Sequence, residues 1–358
     1  MSHKNLCKAP FTCIEISCNG NVTVCCPALN PTVIGNIYRQ SFDDIWYSKE
    51  AQDLREDMLS RQFKTCNLKL CNPVSNLLQD RMLLENDDIE FSKTPPYPKY
   101  VKFCHDKHCN IKCITCRDDF IVNSKQETLK LNSYIDEVYL PILKNCETVA
   151  LNGAGEAFAS EHCKTLIKKI VEKYPNIKFD IHTNGVLCNK SLCDELGITD
   201  KICSIGISLH AFNKETFEKI HLASNYEMVM KNILWLSSLL KAGTLKRLHL
   251  YYVVQKMNYK EMIPFVKFAT SIGANVYFWE YRDWGTKLSK NYNKLAVFEK
   301  QHPEYNKLAK ILQNPIFKQQ NVNLNSYLKS IKPISFREHF YERTKSIRRL
   351  IKLLLIMN

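Results

Sequence analysis

The chain has 358 residues, 45% of them apolar and 24% charged, enough to bury a full core in one or two domains and ordinary for a water-facing globular fold. No apolar run of about 18 residues occurs, which excludes a membrane-spanning helix on sequence grounds. The net charge of +14 admits an anionic partner, but it is read as Lys- and Asn-rich solvated faces, and nucleic acid is not favoured. Sixteen Cys are out of proportion: seven in residues 1–71, four in 104–116, five in 146–203 and none later. Met1 to Pro10 is polar and lacks the apolar centre of a signal peptide, so a cytoplasmic location is expected, where dense Cys means metal rather than disulfides.

Residues 1–75 are too few for a core of their own, so a metal would help hold them. Ile14 to Val24 alternates around Asn19-Gly20, a hairpin signal. Cys7 precedes the hairpin and Cys25-Cys26 follow it, which brings thiols from both strand ends together. Ser41, with Asp44 three residues on, is read as an N-cap. Leu54, Met58 and Leu59 then keep helical spacing, and the segment ends near Cys66 and Cys71.

The pattern Cys7, Gly20, Cys25, then Gly35-Asn36-Ile37, a helix and a Cys pair resembles the SPASM/Twitch auxiliary-cluster domain. In most members of that family the domain follows a barrel; here it comes first, and its last pair is C-x4-C instead of C-x2-C. The resemblance implies Cys7, Cys25, Cys66 and Cys71 as ligands of an auxiliary 4Fe–4S cluster, with Cys26 the main competitor of Cys25 and Cys13 a weaker one. Cys18 is read as packing or facing solvent. Four protein thiolates would make that cluster an electron carrier or a structural element; three would leave an iron for substrate. Residues 76–98 begin with the helical spacing of Leu77, Leu78, Met82 and Leu83 and end in Thr94-Pro95-Pro96-Tyr97-Pro98, read as a linker.

The next stretch, KFCHDKHCNIKCITCR from Lys102 to Arg117, follows an apolar run and carries Cys109, Cys113 and Cys116 at C-x3-C-x2-C spacing. Zinc sites favour C-x2-C pairs, whereas iron–sulfur cubanes take thiolates, and three of them leave one iron open for a small molecule. In this motif the chain resembles the radical S-adenosylmethionine superfamily, over roughly residues 98–285. The resemblance implies a 4Fe–4S cluster on Cys109, Cys113 and Cys116 whose open iron is chelated by S-adenosylmethionine.

From residue 99 to 285 strand-like and helix-like runs alternate, which points to βαβ units and a parallel sheet. Strands are expected at Tyr100–Phe103, Thr148–Leu151, Lys178–His182, Ser204–Leu209, Arg247–Val254 and Asn275–Glu280, with helices near 133–144, 160–174, 189–196, 213–240 and 258–272. The expected fold is α/β: a partial (β/α)6 TIM-like barrel with a Cys-rich N-terminal domain and a helical C-terminal extension. Chemistry should gather at the C-terminal strand ends.

After the second of these strands comes Asn152-Gly153-Ala154-Gly155-Glu156, where glycine permits close backbone approach. It resembles the family's GGE element, which implies that Gly153, Ala154, Gly155 and Glu156 hold the amino group of S-adenosylmethionine, although Ala157-Phe158 replace the usual Pro. Thr183-Asn184-Gly185 matches a turn read as architectural. The resemblance also puts Ser208 on the cofactor's carboxylate or ribose, and the apolar end of the strand at Val254 suits the adenine face. His210 and His221 stand where the family often has Asp and Arg. Trp279, Glu280 and their neighbours are read as core or as a substrate rim. The remaining Cys behave as small buried hydrophobes, and Cys104 and Cys188 lie near strand ends.

Residues 286–358 are helical in pattern and basic, ending RTKSIRRLIKLLLIMN. A basic amphipathic helix lies on an anionic membrane surface or covers another protein element; the reading leans to a helix that caps the barrel or packs on the auxiliary domain.

The function this implies is an enzyme that reductively cleaves S-adenosylmethionine to a 5′-deoxyadenosyl radical and abstracts hydrogen from a peptide or protein. A flavodoxin- or ferredoxin-type donor would supply the electron. The alternatives are radical oxidation, epimerisation or rearrangement of a sugar or small metabolite, and, from another class, a non-catalytic iron–sulfur electron carrier.

Overall fold

The computed structural model describes residues 6–68, 89–151, 154–283, 285 and 290–345. Cys71, Gly153, the helix expected from Leu77 to Leu83 and the Ile347–Leu355 tail lie outside the described residues. The chain divides into two compact units: Met1–Asn110, Ile121–Thr183 and Leu187–Ile205 form the first, and Ile111–Phe120, Asn184–Val186 and Gly206–Asn358 the second.

In the first unit a short buried helical turn, Ala9–Thr12, leads into the hairpin. Strands β1 (Cys13–Ser17) and β2 (Asn21–Thr23) pair antiparallel, Glu15 opposite Thr23, and β3 (Val33–Asn36) adds to β2. Gly20 sits at φ +81°, a left-handed value that costs a side-chain-bearing residue, and a Cβ there would also strike the Tyr38 ring at 2.3 Å. Two helices follow. Helix α1 (Phe42–Trp46) is capped by Ser41, which accepts from Asp44 N at 3.2 Å, and α2 (Lys49–Leu59) is capped by Ser48.

Strand β1 also runs parallel to β4 (Tyr100–Cys104), in register from Cys13 opposite Tyr100 to Ser17 opposite Cys104. The hairpin thus extends the parallel sheet at one edge, and the facing pair Glu15 and Lys102 is joined at 2.7 Å. Beyond β4 the order runs β5 (Thr148–Leu151), β6 (Lys178–Thr183) and β7 (Ile202–Ser208). The helices between are α3 (Lys125–Ser133), α4 (Glu161–Lys173) and α5 (Lys190–Glu195). Pairing of β4 with β5 and of β5 with β6 is parallel. Spatial order follows chain order, the winding of a barrel and not the reversal of a doubly wound sheet.

The proline linker is held firmly. Trp46 Nε1 donates to Pro95 O at 3.0 Å, and Tyr97 OH donates to Asp43 at 2.6 Å. Arg55 is fully buried: its Nε reaches Pro10 O at 2.9 Å, and Nη1 reaches Trp46 O and Lys93 O, each at 2.8 Å. Its guanidinium lies 4.2 Å from the Trp46 ring centroid, and burial draws its pKa down to about 10. One side chain therefore ties the start of the chain, α1 and the linker.

In the second unit β8 (Arg247–Val254), β9 (Asn275–Glu280) and β10 (Val322–Leu324) pair in parallel. Three of the six expected barrel strands, β5, β8 and β9, carry the expected bounds. The helix expected at 213–240 is instead two, α6 (Lys214–Ile220) and α7 (Tyr226–Lys241). Between them His221–Leu222 leave the helix to pair antiparallel with Lys112–Cys113, and Asn225 caps α7 by accepting from Met228 N at 2.9 Å. Side-chain periodicity carried through the break because apolar residues continue on both sides of it. Helix α8 (Met262–Ser271) precedes β9, and α9 (Tyr305–Leu312) precedes β10. Among the described residues no helix is long and apolar enough to cross a membrane.

Candidate iron–sulfur and cofactor site

In the first unit the C-terminal ends of β4, β5 and β6 are neighbours, and their loops are bonded to each other. Glu156 N donates to His108 O at 2.7 Å, which holds the turn after β5 against the segment that runs into Cys109. Gly155 explains how they come so close: a Cβ there would stand 2.4 Å from His108 O and 2.7 Å from Asp106 O. The glycine is spent on this loop-to-loop approach. The Glu156 side chain is 3% exposed, accepts from Thr183 Oγ1 at 2.6 Å and from Phe158 N at 3.3 Å, and is thereby held in one place. Thr183 is therefore more than architectural. A buried carboxylate so placed fits an ammonium group, whose charge compensates its own.

Asp106, which sequence reasoning passed over, is the fastener of this corner. Its Oδ1 accepts from His108 N and Asn123 Nδ2, both at 2.9 Å, and its Oδ2 accepts from Ser160 Oγ. Burial raises its pKa, but the bonds from Ser160, His108 and Asn123 outweigh that and hold it below the ordinary carboxylate value. Ser160 also caps α4, accepting from Cys163 N at 3.1 Å. The cap was legible in the sequence as the start of a helix; its second bond to Asp106 was not.

Behind Asp106 lies a buried imidazole pair. His105 Nε2 and His162 Nε2 are 2.7 Å apart, and His162 Nδ1 is 2.7 Å from Asn132 Oδ1. With the Asn oxygen accepting, His162 donates from Nδ1 and accepts at Nε2, so His105 donates from Nε2 and its Nδ1 is an acceptor with no partner among the described residues. Burial, with the neighbouring His162, pushes His105 down to about 3, and burial pushes His162 to about 4, so both stay neutral. His105, Asp106 and Glu156 also line a cavity of about 10 Å³, roughly enough for one water.

Cys109 belongs to the first unit, is 8% exposed and donates its N–H to Ile121 O at 2.9 Å. Cys113 and Cys116 belong to the second unit, in a tight turn where Cys116 N donates to Cys113 O at 3.0 Å. Cys116 is exposed, and Cys113 Sγ lies 3.1 Å from His221 Nδ1. His221 Nε2 donates to Leu209 O at 3.2 Å, so in the neutral ring Nδ1 accepts from the Cys113 thiol. The His210 and His221 rings stack with centroids 5.2 Å apart. Burial lowers His210 to about 4 and His221 well below the usual imidazole range. His210 N and Nδ1 lie at 3.1 and 3.0 Å from Tyr251 O, and its carbonyl accepts from Asn258 Nδ2 at 2.7 Å, so its visible role is to fix the loop after β7. Ser208 is half-buried at the end of β7, and Val254 is fully buried at the end of β8. Asn184 and Gly185 form a turn in which Gly185 has φ +80° and Asn232 Nδ2 donates to Gly185 O at 2.8 Å.

Around the other cysteines, Cys7 and Cys25 pack against Ala9, Cys13, Tyr100 and Ala150. Cys66 is tied to the turn after Cys25-Cys26: Asn67 N donates to Leu29 O at 2.8 Å, and Asn30 Nδ2 is 3.7 Å from Cys66 Sγ. Cys13 is buried, and burial pushes its thiol up to about 12, which disfavours a thiolate there. Cys26 is half-buried, and Cys18 donates to Cys104 O at 3.1 Å, in keeping with a packing role. Among the described residues no three His, Cys, Asp or Glu side chains ring a single metal position. A cubane does not require that, since each thiolate binds a different iron. The donor chemistry, thiols at C-x3-C-x2-C spacing and a second set linked by the 26–30 turn, fits iron–sulfur clusters.

Residues 7–72 match the family model of SPASM, an iron–sulfur cluster-binding domain. No curated protein sequence matches the chain. Among solved structures the chain is similar to SuiB of Streptococcus suis bound to S-adenosylmethionine, at 19% identity and TM-score 0.41, over 78% of this chain and 62% of that one. It is also similar to anSMEcpe with bound AdoMet and a Cp18Cys peptide, at 15% identity and TM-score 0.39, over 63% and 62% of the two chains. The chain therefore spans about three-fifths of the length of these structures.

Proposed function

We propose that this chain, with its N-terminal iron–sulfur segment, is a radical S-adenosylmethionine enzyme that takes hydrogen from a peptide or protein substrate. The observation that supports it most is the fixed corner of Asp106, Gly155, Glu156 and Thr183 beside the segment entering Cys109. A buried carboxylate held by a hydroxyl and by backbone N–H, next to a C-x3-C-x2-C loop, is what an amino-acid ligand chelated to an open iron would need. An electron carrier has no use for it. Cys109, Cys113 and Cys116 would hold the cofactor-binding cluster, and Cys7, Cys25 and Cys66, with Cys71, the auxiliary one.

When bound, cluster and S-adenosylmethionine supply a reductively generated 5′-deoxyadenosyl radical able to abstract hydrogen. The chain's own residues bind and orient. Glu156 receives the ammonium, Thr183 fixes the rotamer of Glu156, and Gly155 and Asp106 lock the two loops together. Ser208 is assigned to the carboxylate or ribose by family resemblance alone, and Val254 to the adenine because a buried apolar strand end suits that face. The peptide substrate likewise follows from the resemblance of the Cys-rich segment to auxiliary-cluster domains, and a reduced flavodoxin or ferredoxin would be the donor.

The test is anaerobic reconstitution followed by 5′-deoxyadenosine measurement with dithionite, alongside a Cys109→Ala/Cys113→Ala/Cys116→Ala variant. The intact chain should hold about eight irons and the variant about four, with product from the intact chain only. A reconstituted cluster that does not bind S-adenosylmethionine would end the enzyme reading.

A further inference from the structure

Gln255 directly follows β8 and is fully buried, yet neither Nε2 nor Oε1 of its carboxamide has a hydrogen-bond partner among the described residues. The backbone of the same residue is well used. Its N–H donates to Asn258 Oδ1 at 2.8 Å, and its carbonyl accepts from Tyr259 N at 3.0 Å. The turn therefore needs the main chain of Gln255 and makes no use of the amide. A buried amide without partners lowers stability, and an apolar side chain of similar length would avoid that cost. Such a group points to a ligand that supplies one donor and one acceptor.

Strand alternation gives the direction. Tyr252 faces the helix layer, its ring centroid 4.6 Å from that of Phe265 in α8. Tyr251 faces the other way. It stacks on Tyr277 with centroids 5.4 Å apart, and it lies so close to β7 that a Cβ on Gly206 would stand 2.4 Å from its ring. Ser208, two residues beyond Gly206 in the same strand, shares that face. Val254 alternates to the Tyr252 side, so the inward side chain where β8 ends is that of Gln255, in line with Tyr251 and Val253.

We propose that the Gln255 carboxamide binds the adenine of S-adenosylmethionine, with Oε1 accepting from the N6 amino group and Nε2 donating to N7. This is the two-bond match that a Gln amide makes with adenine. The methionyl end of the cofactor is charged, whereas the base holds a neutral donor rigidly beside an acceptor, as an amide requires. Because the amide is closed to solvent, contact with the base takes a change of the Gln255 rotamer or a shift of the residues over it. The assignment rests on the proposed cofactor and adds a residue that decides which base is accepted.

The experiment is calorimetric titration of the anaerobically reconstituted full chain with S-adenosylmethionine and with its 7-deaza analogue, in which a C–H replaces N7. The parent should bind the analogue roughly tenfold more weakly, because Nε2 then faces a carbon. Gln255→Met should bind S-adenosylmethionine roughly tenfold more weakly than the parent and distinguish the two ligands by less than about twofold. Without ligand, the variant should melt at the parent's temperature or above it, since a buried amide without partners has been removed. A parent chain that binds both ligands equally would overturn the assignment, and that result needs no variant. So would a Gln255→Met chain that keeps the parent's preference, or one that melts well below the parent and so assigns the amide to the fold. A parent that binds neither ligand would overturn the cofactor reading itself, and this assignment with it.

Discussion

Replacing Asp106 tests the reasoning about the site most directly, because one carboxylate holds three donors from three segments. In Asp106→Ala the partners His108 N, Asn123 Nδ2 and Ser160 Oγ lose their acceptor. Hydrogen bonds to a charged group contribute about 1.5–3 kcal/mol each, and they do not add when they share one acceptor. Removing one member of a buried charged network costs about 3–5 kcal/mol, and we expect that range, a fall of roughly 4–7 °C in melting temperature for a chain of this length. Asp106→Asn retains an oxygen for His108 and Asn123 and can donate to Ser160, so it should cost only about 1 kcal/mol. The two variants also differ in their pH response. The folded carboxyl titrates below its ordinary 3.8. Its contribution is therefore present above that pH and is lost as pH falls through the lower folded value. Thermal melts of the anaerobically handled protein should thus show the parent's advantage over Asp106→Asn narrowing below about pH 4. An Asp106→Ala variant within about 1 kcal/mol of the parent would refute the fastening role. So would an advantage over Asp106→Asn that stays constant into acid.

Three further outcomes follow from the same geometry. Thr183→Val removes the 2.6 Å bond to Glu156 at nearly constant volume and should weaken S-adenosylmethionine binding by about tenfold in calorimetric titration, with little change in melting temperature. Gly155→Ala puts a methyl 2.4 Å from His108 O, forcing apart two loops; we expect a loss of about 1–3 kcal/mol and fewer retained irons per chain by colorimetric assay. Arg55→Ala leaves Pro10 O, Trp46 O and Lys93 O without their donor and should cost about 3–5 kcal/mol in thermal unfolding; Arg55→Lys should not restore it, because an ammonium lacks the guanidinium fork.

Much of this protein was legible in its sequence because the signals are local. Alternating residues about Asn19-Gly20 specify a hairpin, and apolar runs of strand length specified β5, β8 and β9 to the residue. The thiol spacing from Cys109 to Cys116, and the glycine before Glu156, specify a chemistry. These signals depend on chain geometry over a few residues, so no partner need be known. Where local periodicity ran on past a break, as between α6 and α7, it misled: His221–Leu222 leave the helix to pair with Lys112–Cys113, Leu222 opposite Lys112 and His221 opposite Cys113, more than a hundred positions away in sequence. The tertiary structure alone decided that β1 lies on β4, that Thr183 and not only the backbone holds Glu156, and that Asp106 joins Ser160 to the loop before Cys109. The same is true of Arg55, a charged residue in an amphipathic pattern that reads as a solvated face yet is fully buried among carbonyls. A polar side chain's role is set by which donors and acceptors surround it after folding. Residue type gives its capacity, and only three-dimensional proximity gives its partner.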